Sequence, residues 1–203
     1  MEKRILVLGI GNILWADEGF GVRCVEALHA GWSFPDNVTL MDGGTQGLYL
    51  LPYVQEADCL LVFDAVDYGD APGSLREVTG EQVPRFMGAK KMSLHQTGFQ
   101  EVLMAAELTG KLPGELVLLG VQAEELEDYG GSLRASVRAQ MVPALNKALD
   151  WLERWGVVGQ VRSGEAEAIT DRALAIDVYE GERPSAEVAC RIGDSRFLVG
   201  EAA

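Results

Sequence analysis

The sequence predicts an α/β protein: a twisted, mostly parallel sheet with helices on both faces, built as a single domain. Three observations carry this. Four short apolar runs, RILVLG (4–9), NVTLMD (37–42), CLLVFDAVD (59–67) and ELVLLGV (115–121), are strand-sized and β-branched in places. Helical patterns fill the intervals, the alternation that parallel strands joined by crossover helices require. A chain of 203 residues, 48% hydrophobic and 24% charged, suffices for one sizeable core.

The elements follow in order. The first strand runs into GIGNILWADEG (9–19), after which a helix is expected to open with Asp17 as its N-cap. That helix closes at Gly31 and places Phe20, Cys24 and Leu28 on one face. The turn DGGT (42–45) leads into a second helix over 46–55, and GSLREVT (73–79) reads as a short, exposed strand at the sheet's edge. Thr97 with Gln100 forms a capping box for a helix through Leu108, closed by Gly110. Leu133, Val137, Met141, Leu145, Leu149 and Leu152 recur at helical spacing up to Gly156, with Pro143 producing a kink or marking a turn near the start. Residues 1–156 therefore form the α/β domain. Residues 157–203 form a C-terminal extension with nine acids and five basic residues, read either as a solvated acidic tail or as an extra hairpin docked on the core.

Charge and composition exclude several classes. A formal net charge of −14 repels nucleic acid and anionic lipid, and basic residues never cluster beyond a pair such as Lys90 and Lys91. No apolar run approaches the roughly 20 residues of a membrane helix, and the start reads as a strand rather than a leader, so a cytoplasmic protein is expected. Cys24, Cys59 and Cys190 are odd in number and far apart, which suggests buried thiols rather than disulfides or a zinc knuckle.

The glycine loop at 9–19 poses a choice between phosphate and metal. A dinucleotide fingerprint needs a third glycine where Leu14 stands, and Asp42 comes late for a ribose contact. The acids of the ADE segment oppose a pyrophosphate. A metal fits better, because acids follow three strands: Glu18 the first, Asp42 the second, and Asp64 near the end of the third. A carboxylate beside so apolar a strand is costly unless paired or metal-bound, whereas Asp67 reads as solvated. Of the two histidines, His29 reads as a surface residue at a helix C-terminus. His95, in KMSLHQTG (91–98), stands in a loop directly before a capped helix. One imidazole and two carboxylates can hold a divalent transition metal and leave positions open. His29 is followed by AGWS, not the zincin pattern, and neither a nucleophile elbow nor an activated cysteine is indicated.

Taken together, RILVLGIGNILWADEGFGVR (4–23), DGGT, FDAVD with APG (63–73), SLHQTG (93–98) and LVLLGVQ (116–122) resemble the endopeptidases that mature the large subunit of nickel–iron hydrogenases. The resemblance covers about residues 4–155. It implies the sheet described above and an aspartic-type endopeptidase that clips a short C-terminal peptide from the large-subunit precursor after nickel insertion. It also implies metal contacts at Glu18, Asp64 and His95, catalytic participation of Glu18 and Asp64, and a supporting or catalytic role for Asp42. Nickel is expected to arrive with the substrate rather than as a permanent cofactor. Trp15, Phe20 and Tyr68 are candidate groove walls. The extension departs from the family's compact form and is a candidate surface for accessory maturation proteins or the hydrogenase. Two other readings stand beside this one: a non-hydrolytic escort of the loaded subunit, and a nucleotide- or S-adenosylmethionine-dependent enzyme.

Overall fold

The computed structural model describes residues 2–87, 94–164, 168–170 and 174–181, with the side chains of residues 85–87 and 94–97 outside that description. Strand β1 (Ile5–Ile10) is buried along its whole length. Its neighbours β3 (Val38–Gly44) and β4 (Cys59–Val66) run parallel to it, and β6 (Glu115–Gln122) runs parallel to β4. The edge strand β5 (Leu75–Thr79) pairs antiparallel with β6, giving the order β3-β1-β4-β6-β5. The four apolar runs are thus the four parallel strands, and GSLREVT is the edge.

Side chains alternate across a strand, so the sheet carries two cores. Ile5 and Val7 face α1 (Phe20–Gly31) and α6 (Met141–Arg154). Leu6, Leu8 and Ile10 face α2 (Leu51–Glu56), α3 (Gln82–Met87) and α4 (Leu94–Leu108). Burial on both faces is why β4 reads as an unbroken apolar run. Among the described residues no helix is long and apolar enough to cross a membrane.

Three helix boundaries differ from expectation. A 3₁₀ turn, Ala16–Gly19, precedes α1, and no side chain caps either element, so the Asp17 carboxylate is used elsewhere. Helix α4 starts at Leu94, which puts Thr97 inside the helix and His95 on its first turn rather than in a preceding loop. The last apolar periodicity spans two helices, α5 (Ala135–Arg138) and α6. Pro143 lies in the first turn of α6, where backbone donors lack intrahelical acceptors and a missing N–H does little harm. Helix α6 ends as expected at Gly156 (φ +90°): Gly156 N–H donates to Glu153 and Val157 N–H to Leu152, each at 2.9 Å.

The described part of the extension docks on α1 and α5. Strand β7 (Gln160–Val161) pairs with β2 (Trp32–Ser33), and the Arg162 guanidinium donates to the carbonyls of His29 and Trp32, each at 3.1 Å. The buried Arg23 donates to the Leu174 carbonyl at 2.5 Å, Thr170 bonds Glu26, and Glu180 of α7 (Ile176–Gly181) accepts from Ser132 and Arg138.

Strand order reverses between β1 and β4, since the chain lays β3 on one side of β1 and then β4 on the other. Ligands of open α/β sheets bind at the carboxyl ends flanking such a point. Here the helix start is pressed onto those ends: a Cβ at Gly21 would overlap the carbonyl oxygens of Ile10 and Phe63, and one at Gly9 would overlap that of Gly21. Gly11 (φ +131°) makes the turn itself, with the Glu18 carbonyl against its Cα. The glycines of this loop serve helix–strand contact. Gly21→Ala should therefore cost about 3 kcal/mol in urea denaturation. Gly31→Ala, where an added Cβ meets nothing within 4 Å, should stay within about 0.5 kcal/mol of the parent.

Candidate active site

The ADE loop is built around one buried carboxylate. Ala16 holds a left-handed backbone (φ 39°), and Trp15 bridges to Tyr129 with the rings edge to face at 5.2 Å. Asp17 is wholly buried. Its Oδ2 accepts the N–H groups of Glu124 and Glu125, each at 2.9 Å, and its Oδ1 accepts that of Arg134 at 2.7 Å. Its own N–H donates to the Glu125 carbonyl at 3.1 Å. The first loop is thereby fastened to the segment between β6 and α5. This role was invisible in the sequence, because the partners lie more than 100 residues away and share no local signature with Asp17.

With Asp17 fixed, Glu18 is held one residue further on. It is 7% exposed, its N–H donates to the Trp15 carbonyl at 2.9 Å, and it directly precedes the helix start pressed against Phe63. Asp64, 2% exposed, follows Phe63 on β4 and is registered with Gly120 of β6. Glu18 and Asp64 thus come from the two strands that flank the reversal of strand order.

The loop after β4 is ordered by Gln122. Its Oε1 accepts the N–H groups of Tyr68 (2.7 Å) and Asp70 (3.2 Å), while its Nε2 donates to Asp67 and the Ala123 carbonyl, both at 3.1 Å. Asp67, expected to be solvated, is therefore half-buried and bonded. Burial pushes the Tyr68 phenol well above its ordinary pKa, aided by the Asp64 charge and opposed by Arg76. The Arg76 guanidinium lies over the Tyr68 ring at 5.5 Å and pairs with Asp70.

Asp42 stands apart. Gly9 is registered with both Asp42 and Phe63, so Asp42 faces α1, as Phe63 does, and Asp64 faces the other way. The adjacent Gly43 confirms the alternation, since its Cβ would meet Ile10 and Leu50 of the α2 face. Asp42 Oδ1 accepts the Gly44 N–H at 2.8 Å. Its pKa is raised, chiefly by desolvation and further by Glu26, against the lowering effects of the Gly44 bond and Arg23.

His95 sits on the first turn of α4, with its side chain outside the described residues. Three residues later a Cβ at Gly98 would lie 3.4 Å from the Cα of Gly47, so this end of the helix rests on the turn that follows DGGT. Among the described residues no three His, Cys, Asp or Glu side chains cluster as a metal site. Phe20 is fully buried in the core and is no groove wall, while Trp15 and Tyr68 stay half-buried near the strand ends. His29 is half-buried in the last turn of α1. Cys24 and Cys59 are buried free thiols, and burial raises both, Cys59 to about 11; Cys190 lies outside the described residues.

Asp17→Ala strands three backbone donors and should cost about 3 kcal/mol or more in chemical denaturation, with Asp17→Asn milder. A raised native pKa at Asp42 means that the folded state holds this proton more tightly than the unfolded one. Its contribution to stability accordingly falls as pH rises from the ordinary value of 3.8 through the raised one. Thermal melts should show Asp42→Asn gaining on the parent over that interval and keeping the gain at neutral pH.

The HycI family model, described as hydrogenase maturation protease, matches residues 22–151. The hydrogenase expression/formation protein HoxM of Azotobacter vinelandii is 63% identical over 194 residues, covering 96% of this chain and 94% of its own. HoxM of Cupriavidus necator is 58% identical over 197 residues, covering 96% and 98%. The solved structure of the Escherichia coli hydrogenase maturating endopeptidase HybD is similar with a TM-score of 0.74 and 42% identity, over 78% of this chain and 98% of that one. The HoxM matches reach into the extension, whereas the HybD structure leaves about a fifth of this chain without counterpart. A mostly parallel sheet with buried acids at its switch point, found in a chain so closely related to these proteins, belongs to a peptidase of the hydrogenase maturation protease family.

Proposed function

We propose that this protein removes a short C-terminal peptide from the large-subunit precursor of a nickel–iron hydrogenase, and that it acts once nickel has been inserted. The observation that carries this reading is the pair of buried carboxylates, Glu18 and Asp64, at the strand ends flanking the switch point of a hydrogenase maturation protease. Carboxylates buried at the ends of the strands suit contact with a metal that arrives with the substrate. Glu18, Asp64 and His95 contact that nickel and leave its remaining positions to the precursor's own ligands. The reaction takes place in the cytoplasm, and the extension offers a surface to accessory maturation proteins or to the hydrogenase.

In the proposed reaction, water adds to the scissile carbonyl carbon, its proton passes through a carboxylate to the leaving amine, and the C–N bond breaks to give a carboxylate and a free N-terminus. Substrate nickel polarises the carbonyl or the water. Glu18 and Asp64, on the nickel side, relay the proton, which gives the aspartic-type character expected from the sequence. Asp42, on the opposite face, supports them by holding the DGGT turn through Gly44.

Intact mass of nickel-loaded and nickel-free precursor, before and after incubation with the protein, tests the reading. Loss of one discrete C-terminal peptide from the loaded sample alone is the expected result. No cleavage together with tight binding of the loaded precursor would overturn it in favour of an escort. His95→Ala should abolish cleavage and leave the thermal melt unchanged; full activity in that variant would remove His95 from the site.

A further inference from the structure

We infer that Tyr68 is a positioning residue for Asp64: its hydroxyl, buried above Gly120 beside the Asp64 carboxylate, donates to that carboxylate when the loaded precursor binds and steadies it on the substrate's nickel. The inference rests on the reading of the site given above. It is carried by where the fold puts the phenol. Asp64 and Gly120 are register partners on adjacent parallel strands, so the space above Gly120 is the space beside Asp64, on the same face. An added Cβ at Gly120 would lie 3.5 Å from the Tyr68 hydroxyl oxygen and 3.1–3.2 Å from the Val66 methyls. The hydroxyl thus lies against the Gly120 position, beside Asp64.

The phenol is also held there from two sides. Gln122, 5% exposed, pins the Tyr68 N–H at 2.7 Å and ties the same loop to Asp67 and Ala123. Arg76, paired with Asp70, covers the ring face at 5.5 Å. A phenol keeps its proton at neutral pH and is a donor to any carboxylate within reach. Carboxylates that bind metals are commonly oriented by such partners, and loss of the partner typically costs 10–100-fold in metal affinity or activity.

The test compares equilibrium binding of nickel-loaded and nickel-free precursor to the parent, Tyr68→Phe and Gly120→Ala, beside cleavage rates and thermal melts. Tyr68→Phe should lower affinity for the loaded precursor and its cleavage about 10–100-fold and leave the nickel-free affinity unchanged. Gly120→Ala, whose Cβ meets the hydroxyl only at ordinary contact distance, should keep the parent's ratio of loaded to nickel-free affinity. An unchanged ratio of loaded to nickel-free affinity in Tyr68→Phe overturns the inference, as does an equal loss for both precursors, which would mark a general structural role. A parent protein that does not discriminate the two precursors instead overturns the reading of the site on which the inference stands.

Discussion

The arrangement of the site depends on one buried carboxylate. Asp17 gathers three backbone N–H groups from the segment between β6 and α5, so a loop that leaves β1 is locked to the one that leaves β6, two strands away at the same end of the sheet. Each such bond to a charged acceptor contributes about 1.5–3 kcal/mol, enough to hold Ala16 in its left-handed conformation. The adjacent Glu18 is thereby fixed at the end of β1. The close approach of Gly21 to Ile10 and Phe63 supplies the second constraint, because it sets the helix start directly on the strand that carries Asp64.

Acids withdrawn from water are costly, and this fold treats Asp17, Asp42 and Asp64 differently. Asp17 is compensated by backbone donors. Asp42 has one such donor, Gly44, and a raised pKa. Asp64 lies on a strand buried on both faces, beside a phenol held by Gln122. Behind Asp42, Arg23 and Glu26 are engaged by Leu174 and Thr170, so the extension is joined to the helix that Asp42 faces. The HoxM proteins match nearly the whole of this chain, and in this chain the described part of the extension is packed on α1.

The sheet was legible because central parallel strands bury both faces, and ILVLG (5–9) and CLLVF (59–63) carry no charged residue before the chain reaches its site. The ends of the helices were less so. Val137, Met141 and Leu145 keep four-residue spacing across the break between α5 and α6, so periodicity alone could not reveal two helices. Asp17 looked like a cap because the sequence before a helix favours that reading, while its true partners are distant in the chain. Glu18 and Asp64 were legible as acids following strands, but the separation of Asp42 from Asp64 follows only from register, through the shared partner Gly9. The placement of Tyr68 involves a glycine on the neighbouring strand β6 and had no sequence signal beyond its proximity to FDAVD.

The central claim, that Glu18 and Asp64 meet a metal carried by the substrate, is tested most directly by X-ray absorption at the nickel edge. The loaded precursor would be measured alone and in rapidly frozen mixtures with the parent protein, Glu18→Gln and Asp64→Asn. The account predicts added oxygen ligation when the parent protein binds, diminished in each variant. A nickel spectrum unchanged by the parent protein in a mixture shown to contain the complex would contradict it.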